Sequence, residues 1–376
     1  MTPSGRLLLF VALPSILIAG GLITIVKVAP EPPAEEMEFA RSALAEARDS
    51  KAETYTPNTY RLAMSYYDSA MVHWKSQNEK FILLRNYDEV IRFSRVSSDY
   101  SSKAIEQTRK SASTLRSRLG VQIKELKGIV SGLNTLYTRY PLSSEIRNRI
   151  SKGKLYLSEA VIAFDNGAYT QANRKVTDAD HHLRYAWEQA NGSISDYFGS
   201  YQQWITWKNK TIAESRQKGI AVVLVDKFAA KCYLYQKGVK TMEFDAELGV
   251  QWIGDKRHRG DKATPEGMYH VTRKLEGGST KYYKALLINY PNDDDTRRFK
   301  AEIANGTLPS NAKIGGLIEI HGHGGRGTDW TDGCVALTDS DMDKIYRLVK
   351  VGTPVTIIGS EVPLSEILSR HDGAID

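Results

Sequence analysis

Two histidines, several glycines and one cysteine lie close together between Ile318 and Val335, in the segment IEIHGHGGRGTDWTDGCV. Its reactive side chains are His321, His323 and Cys334. Acyl chemistry on a thiol needs a thiolate nucleophile, a base that generates it, and backbone N–H groups that stabilise an oxyanion. One loop and its two edges can supply all three, so the segment predicts a cysteine acyltransferase or amidase.

Cys334 is the predicted nucleophile, and His321 is the predicted acceptor of its proton. His323 is the alternative base. In an extended segment the two histidines would share a face, so that one would act as base and the other would bind substrate. The N–H groups of Gly333 and Cys334 are expected to form the oxyanion hole, because glycine allows close backbone approach. Trp330 is expected either to close over the substrate or to serve only in packing.

Neither a metal nor an organic cofactor is predicted. The neighbouring His181 and His182 have no cysteine or carboxylate at a recognisable ligand spacing, so they indicate a solvated helix face. Two cysteines in 376 residues exclude a disulfide scaffold. Cys232 lies in the strand-like run KCYLY and is expected to be a small buried hydrophobe.

The net charge of +7 comes from residues 1–217, because the chain from Lys218 onward has equal numbers of acidic and basic residues. This basic half indicates either a solvated helical surface or attraction to an anionic membrane or polymer surface. No stripe of alternating basic and aromatic residues is present, so a nucleic-acid partner is not predicted.

Residues 7–26 form an uncharged run, LLLFVALPSILIAGGLITIV, which is long enough to cross a bilayer core. The alternative is a cleaved signal peptide, but cleavage after Ala29 would place Lys27 at the −3 position. We therefore predict a transmembrane signal anchor at residues 1–29. The expected location is the inner membrane, with a single span and the remaining chain in the periplasm.

Residues 30–217 are predicted to form an all-α region of helical hairpins. Apolar residues recur every three or four positions between 115 and 137, which is typical of a long helix in a bundle. The region is expected to act as a spacer, as a self-association surface or as a module that binds a protein partner. Its sequence does not choose among these roles.

Residues 218–360 are predicted to form a domain that consists mostly of β-strands, and residues 361–376 are expected to form a tail. Apolar runs predict strands at 220–225, 231–236, 242–250, 285–290, 317–320 and 354–358. The turn Thr264-Pro265-Glu266-Gly267 introduces another strand. Helices are predicted at 292–305 and after Thr338, where Thr338 and Asp341 suggest a capping box.

Taken together, these residues resemble the L,D-transpeptidase catalytic domain, the YkuD-like family, in a divergent periplasmic branch. Four elements carry the resemblance over about residues 218–360: the opening strand and hairpin, the Thr264–Gly267 turn, the strand end at His321, and the Thr331-Asp-Gly333-Cys334 motif with the chain that follows it. The helical region shows no such resemblance.

The resemblance implies a sandwich of β-sheets with the cysteine on a loop beside a cleft. It also implies that the substrate is the stem peptide of peptidoglycan. The enzyme would attack the bond between an L-centre, usually that of diaminopimelate, and a terminal D-alanine. A thioester would form on Cys334, and its acyl group would pass to an amine or to water.

The motif departs from the family pattern at two positions. The family usually has His before the Gly-Cys pair and Arg or Asn two residues after the cysteine, whereas this chain has Asp332 and Ala336. The substrate side is therefore expected to involve Thr331, Asp332, His323, Trp330 and Arg326. Lys313 is a further cation that would compensate for the missing Arg.

Three functions follow as alternatives. The first is a cell-wall L,D-transpeptidase, a transferase. The second is a peptidoglycan hydrolase or amidase that uses the same Cys334. The third is a non-catalytic interaction protein, in which the helical region carries the function and the β-rich domain only binds peptidoglycan.

Overall fold

The computed structural model describes residues 29–372, with side chains described as far as residue 369. The chain divides into two compact units. One extends to Ile123 and includes Glu159–Val176, and the other consists of Lys124–Ser158 and the chain from Thr177 onward. The candidate catalytic segment belongs to the second unit, which also contains helical chain.

Helices fill residues 34–218 apart from short connections, in agreement with the predicted helical region. They are α1 (Ala34–Asp49), α2 (Ala52–Tyr55), α3 (Pro57–Asn78), α4 (Asp88–Leu136), α5 (Ser144–Asp165), α6 (Tyr169–Phe198) and α7 (Tyr201–Lys218). The periodic apolar run that begins at residue 115 lies in the second half of α4, which is 49 residues long.

Short side chains at helix contacts build the core of the first unit. Fully buried alanines allow the helices to approach closely, and larger side chains fill the remaining space. One cluster contains Met37, Ala70, Tyr87 and Val90. A second cluster contains Ala47, Ala52, Tyr60 and Ala104.

Eight strands follow the helices in the second unit. They are β1 (Ala221–Asp226), β2 (Lys231–Gln236), β3 (Val239–Asp245), β4 (Gly267–Glu276), β5 (Lys284–Ile288), β6 (Glu319–His321), β7 (Val335–Ala336) and β8 (Pro354–Ile358). They form one mixed sheet in the order β3-β2-β1-β8-β4-β5-β6-β7. The central strands β1, β5 and β8 are almost entirely buried, as their apolar runs predicted.

The predicted sandwich of separate sheets is wrong, because the strands form one continuous curled sheet. The ten-residue β4 pairs with β8 through its first half and with β5 through its second half. A register shift between Val271 and Arg273 lies at the junction, and such bulges bend a strand. The chain after β3 also pairs with β7, through Glu247 and Ala336.

Three further helices accompany the sheet: α8 (Asp293–Ala304), α9 (Asp339–Leu348) and α10 (Leu364–Asp372). Asn292 caps α8 in a reciprocal capping box with Asp295. The Thr338 hydroxyl accepts a hydrogen bond from the Asp341 N–H at 3.1 Å, so Thr338 caps α9 as predicted, but the Asp341 carboxylate accepts from the Thr338 hydroxyl at 2.8 Å and does not complete the predicted box. α10 occupies part of the predicted tail.

The predicted fold class and location included a single membrane-spanning helix, and this part is corrected. Among residues 29–372, no helix is both long enough and apolar enough to span a bilayer. A bilayer core requires about 20 consecutive apolar residues. Even the 49-residue α4 carries charged side chains throughout its length. The predicted span at residues 7–26 lies outside the described residues.

Candidate active site

Pairing between β6 and β7 brings the predicted base and nucleophile together. The two strands are parallel, and His321 lies opposite Ala336. The Leu337 N–H donates to the His321 carbonyl at 2.8 Å. Cys334 immediately precedes β7, so this register places it across from Glu319, at the start of the short strand that ends in His321. The site is therefore assembled at one edge of the curled sheet.

His321 is fully buried, and its two ring nitrogens have different environments. Nδ1 lies 2.6 Å from the Gly322 carbonyl oxygen and must donate to it, because a carbonyl only accepts. Nε2 is buried without a hydrogen-bond partner among the described residues. Nε2 therefore carries the free lone pair of a neutral imidazole, which is the form that can accept a proton.

Burial lowers the pKa of His321 to about 4, although the hydrogen bond to the Gly322 carbonyl acts in the opposite direction. Positive charge from Lys281, His323 and Arg326 lowers it further. At neutral pH the imidazole is therefore neutral. The free nitrogen is available as a base before the thiol has lost its proton.

The Tyr282 ring stacks on His321, a contact that the sequence analysis missed. The two ring centroids are 3.5 Å apart and the planes differ by 6°. Trp330 contacts the same imidazole edge-on, with centroids 5.8 Å apart. The feature that could have revealed Tyr282 is the register of the sheet. Ala285 on β5 lies opposite His321 on β6, and this pairing brings the residues just before β5, including Tyr282, to the site.

The Cys334 thiol is half-buried, and its Sγ lies 3.7 Å from the Leu317 carbonyl oxygen. Burial raises the pKa of the thiol to about 11, while a hydrogen bond from the Glu319 backbone and the charge of Lys281 lower it. At neutral pH the site therefore holds a neutral thiol and a neutral imidazole. A nucleophilic role for this thiol would require proton transfer as it attacks, since no thiolate is stored in advance.

This protonation state predicts how Cys334 reacts with iodoacetamide. Because the thiol keeps its proton up to about pH 11, we expect slow alkylation at pH 7 that increases about tenfold per pH unit up to pH 10. The measurement is the rate of alkylation of Cys334 by mass spectrometry, with a cysteine peptide as the reference thiol. A rate that is already maximal at pH 7 would show instead that a thiolate is stored.

The turn before the nucleophile requires glycine at position 333. Gly333 has φ +132, and a Cβ there would lie 2.5 Å from the Ala263 carbonyl oxygen. The Thr331 hydroxyl closes the turn, donating to the Cys334 carbonyl at 2.8 Å and accepting from the Gly333 N–H at 3.1 Å. The Gly333 N–H therefore points to Thr331 in this conformation, and its role as an oxyanion donor stays a prediction.

His323 lies outside the buried part of the site. It has φ +66, so the segment is not extended there and the expected sharing of a face with His321 does not apply. Its N–H donates to Asp339 at 2.7 Å, and its exposed ring lies 6.1 Å from the Tyr282 ring. Asp332 is also exposed.

Two carboxylates hold the glycine-rich loop between His321 and Cys334. Glu247 accepts from the Gly327 N–H at 2.6 Å and from the Trp330 indole N–H at 2.7 Å. Asp329 accepts from the Leu248 N–H at 2.8 Å and pairs with Arg139 at 2.9 Å. The loop is therefore anchored despite its glycines, and one anchor comes from the helical region.

Arg326 and Lys313, the two candidate cations for substrate binding, lie in different surroundings. The Arg326 guanidinium stacks 3.5 Å from the centre of the Trp330 ring. Lys313 is exposed, and its backbone carbonyl accepts from the Arg259 N–H at 2.7 Å. Of these two cations, only Arg326 is linked to a predicted catalytic residue by a described contact, since Trp330 in turn contacts His321.

The Thr264–Gly267 turn follows Ala263, whose carbonyl borders Gly333, and the turn is held by a buried ion pair. The Lys227 ammonium, which is 0% exposed, lies 2.8 Å from a Glu266 carboxylate oxygen and 2.8 Å from the Thr264 carbonyl. The Tyr197 hydroxyl and the Trp204 indole N–H each donate to Glu266 at 2.9 Å. Helices α6 and α7 therefore supply two of the groups that fix this turn.

No cluster of three or more potential ligands among His, Cys, Asp and Glu occurs in residues 29–372. His181 and His182 lie next to Arg149, whose guanidinium is 3.2 Å and 3.3 Å from their ring nitrogens. A cation in that position opposes metal binding.

Comparison with known proteins identifies the sheet-bearing region. Residues 220–357 match the YkuD L,D-transpeptidase catalytic domain, so the resemblance predicted from the sequence is confirmed. The Escherichia coli K12 protein that is provisionally named as the L,D-transpeptidase YafK is 31% identical over 98 residues. That alignment covers 26% of this chain and 32% of the relative, so it spans about a third of the curated relative.

Solved structures give similar matches at low identity. An L,D-transpeptidase from Mycobacterium smegmatis is 14% identical with a TM-score of 0.25, covering 37% of this chain and 58% of the other. One from Stackebrandtia nassauensis is 16% identical with a TM-score of 0.26, covering 40% and 64%.

Proposed function

Since residues 220–357 are an L,D-transpeptidase catalytic domain, we propose that the protein transfers acyl groups of peptidoglycan stem peptides through a thioester on Cys334. The observation that carries the proposal is the buried, unpartnered Nε2 of His321 at the end of β6, on the strand that pairs with the one following the half-buried Cys334 thiol. A buried acceptor without a partner is costly, and proton transfer from a bound reactant would satisfy it.

The chemistry follows from these protonation states. His321 Nε2 takes the thiol proton as Cys334 Sγ attacks the carbonyl carbon of the bond between the L-centre and D-alanine. The C–N bond then breaks, and the imidazolium returns the proton to the departing D-alanine amine. An acceptor amine attacks the thioester, its proton passes to His321, and the thiol is regenerated with a new amide bond in the product.

Mass spectrometry tests this proposal with the full-length protein and tetrapeptide muropeptides that contain diaminopimelate. We expect a stem-peptide adduct on Cys334, loss of D-alanine and a cross-linked product. Protein alkylated at Cys334 beforehand serves as the blank. A shortened peptide without cross-links would assign water as the acceptor. Traces identical to the blank would reject catalysis and favour a binding role.

A further inference from the structure

Two cations flank the catalytic histidine, each placed over an aromatic ring that contacts it. The Lys281 ammonium lies 5.0 Å from the centre of the Tyr282 ring, and Tyr282 stacks on His321. Arg326 stacks on Trp330, which contacts His321 from another side. We propose that Lys281 and Arg326 form a two-sided clamp for carboxylates, selecting acyl donors that carry a free carboxylate on each side of the scissile amide.

Both cations are exposed and make no ion pair among the described residues. Other lysines of the same unit are neutralised at short range: Lys284 pairs with Asp343 at 2.6 Å and Lys256 pairs with Asp261 at 2.7 Å. Lys281 is hydrogen-bonded through its side chain to Tyr282, and Glu319 lies within its electrostatic reach without pairing with it. The charges beside His321 are therefore left available to a ligand.

Stacking leaves the hydrogen-bonding edge of Arg326 open. A guanidinium that lies flat on an indole uses its face, while its N–H groups point outward in the plane and match the fork of a carboxylate. The ammonium of Lys281 is a compact charge on a flexible stem and can adjust to a second carboxylate. The clamp therefore combines Arg326, whose N–H groups have fixed directions, with Lys281, whose ammonium can adjust its position.

The electric field of both cations converges on the reacting centre. Lys281 and Arg326 each lower the pKa of His321, and Lys281 also lowers the pKa of Cys334. Neither effect requires a direct bond, so Lys281 lies within electrostatic reach of both His321 and Cys334, and Arg326 within reach of His321. An anionic donor would be drawn to the thiol from two directions.

The choice of donor rests on the proposed function. A stem peptide ending in D-alanine has a terminal carboxylate on the leaving side, and diaminopimelate has a free carboxylate on the acyl side. Ala336 occupies the position where the family usually has Arg or Asn, so the motif itself supplies no cation. Lys281 and Arg326 would take over that task from two other parts of the chain.

Iodoacetate and iodoacetamide test the clamp without a peptide. Both alkylate a thiolate with loss of iodide and are similar in size, but only iodoacetate is anionic. We expect the ratio of their rates at Cys334 to fall about two- to fivefold in each of Lys281→Gln and Arg326→Gln, as for an exposed ion pair. Lys350→Gln removes an exposed lysine outside the site and should leave the ratio unchanged.

Peptide substrates provide the second readout. Lys281→Gln and Arg326→Gln should raise KM for a donor with free carboxylates and leave KM for its amidated form unchanged. If the alkylation ratio in both variants equals that of the wild type, the clamp is rejected even when transfer occurs. If the ratio falls but no peptide is processed, the clamp stands and the proposed function fails.

Discussion

Glutamine in place of His321 is expected to slow acylation of Cys334 by stem peptides about 100- to 10,000-fold, the range for loss of a general base. Glutamine keeps a polar side chain of similar reach, but its amide cannot take a proton at neutral pH. Because the thiol of Cys334 has a raised pKa of about 11, little thiolate forms without this base. Adduct formation followed by mass spectrometry gives the rate, with Cys334→Ala as the background.

The pH dependence of this reaction has a defined sign. His321 acts as a base only when it is neutral, and its lowered pKa of about 4 keeps it neutral well below the 6.5 of an ordinary histidine. Acylation should therefore persist as the pH falls to 5 and decline as it approaches 4. This acidic limb should be absent from His321→Gln.

His323→Gln is the matched control for the assignment of the base. The exposed His323 ring contacts Tyr282 rather than the buried pair, so its replacement should change the acylation rate far less than His321→Gln. A larger loss in His323→Gln than in His321→Gln would transfer the role of base to His323.

Methionine in place of Lys227 is expected to lower the free energy of unfolding by about 3–5 kcal/mol, the cost of leaving one charge of a buried pair uncompensated. The Glu266 carboxylate would keep the Tyr197 and Trp204 donors but lose its only paired cation among the described residues. Urea unfolding followed by tryptophan fluorescence measures the change.

Lys231→Met is the control, because it removes the lysine of an ion pair that has a similar N–O distance but lies at the protein surface. Its ammonium lies 2.9 Å from Asp245, whose side chain is 89% exposed, so the loss should stay below about 1 kcal/mol. The double variant Lys227→Met/Glu266→Gln should recover part of the stability lost in Lys227→Met, because both charges are then absent. Equal losses in Lys227→Met and Lys231→Met would contradict the importance of the buried pair.

The Lys227–Glu266 pair also connects two helices to the sheet-bearing region. Tyr197 on α6 and Trp204 on α7 donate to the carboxylate, and the Trp204 ring lies so close to Gly359 that a Cβ there would come within 2.2 Å of it. A chain that began at Lys218 would lose both donors. The last helices of the all-α region therefore help to fix the Thr264–Gly267 turn.

Local patterns predicted most elements of the sheet-bearing unit. Buried apolar runs gave β1, β5 and β8 within one or two residues, the predicted helix at 292–305 matches α8 within one residue, and the predicted cap at Thr338 gave the beginning of α9. These signals depend on residues close in sequence, so they can be recognised without knowledge of the fold. The sandwich prediction failed because strand periodicity does not reveal that β4 bends and serves two neighbours.

The sequence by itself determined that His321 and Cys334 lie in one short segment, with glycines that permit a tight turn, and this made them the predicted reactive pair. Only the tertiary structure decided the surroundings that tune the pair. Tyr282 and Lys281 are brought to His321 by the pairing of β5 with β6. The indole N–H of Trp204, on α7, donates to Glu266 in the Thr264–Gly267 turn. Such contacts join residues tens of positions apart and arise from strand register and burial, which composition and spacing do not encode.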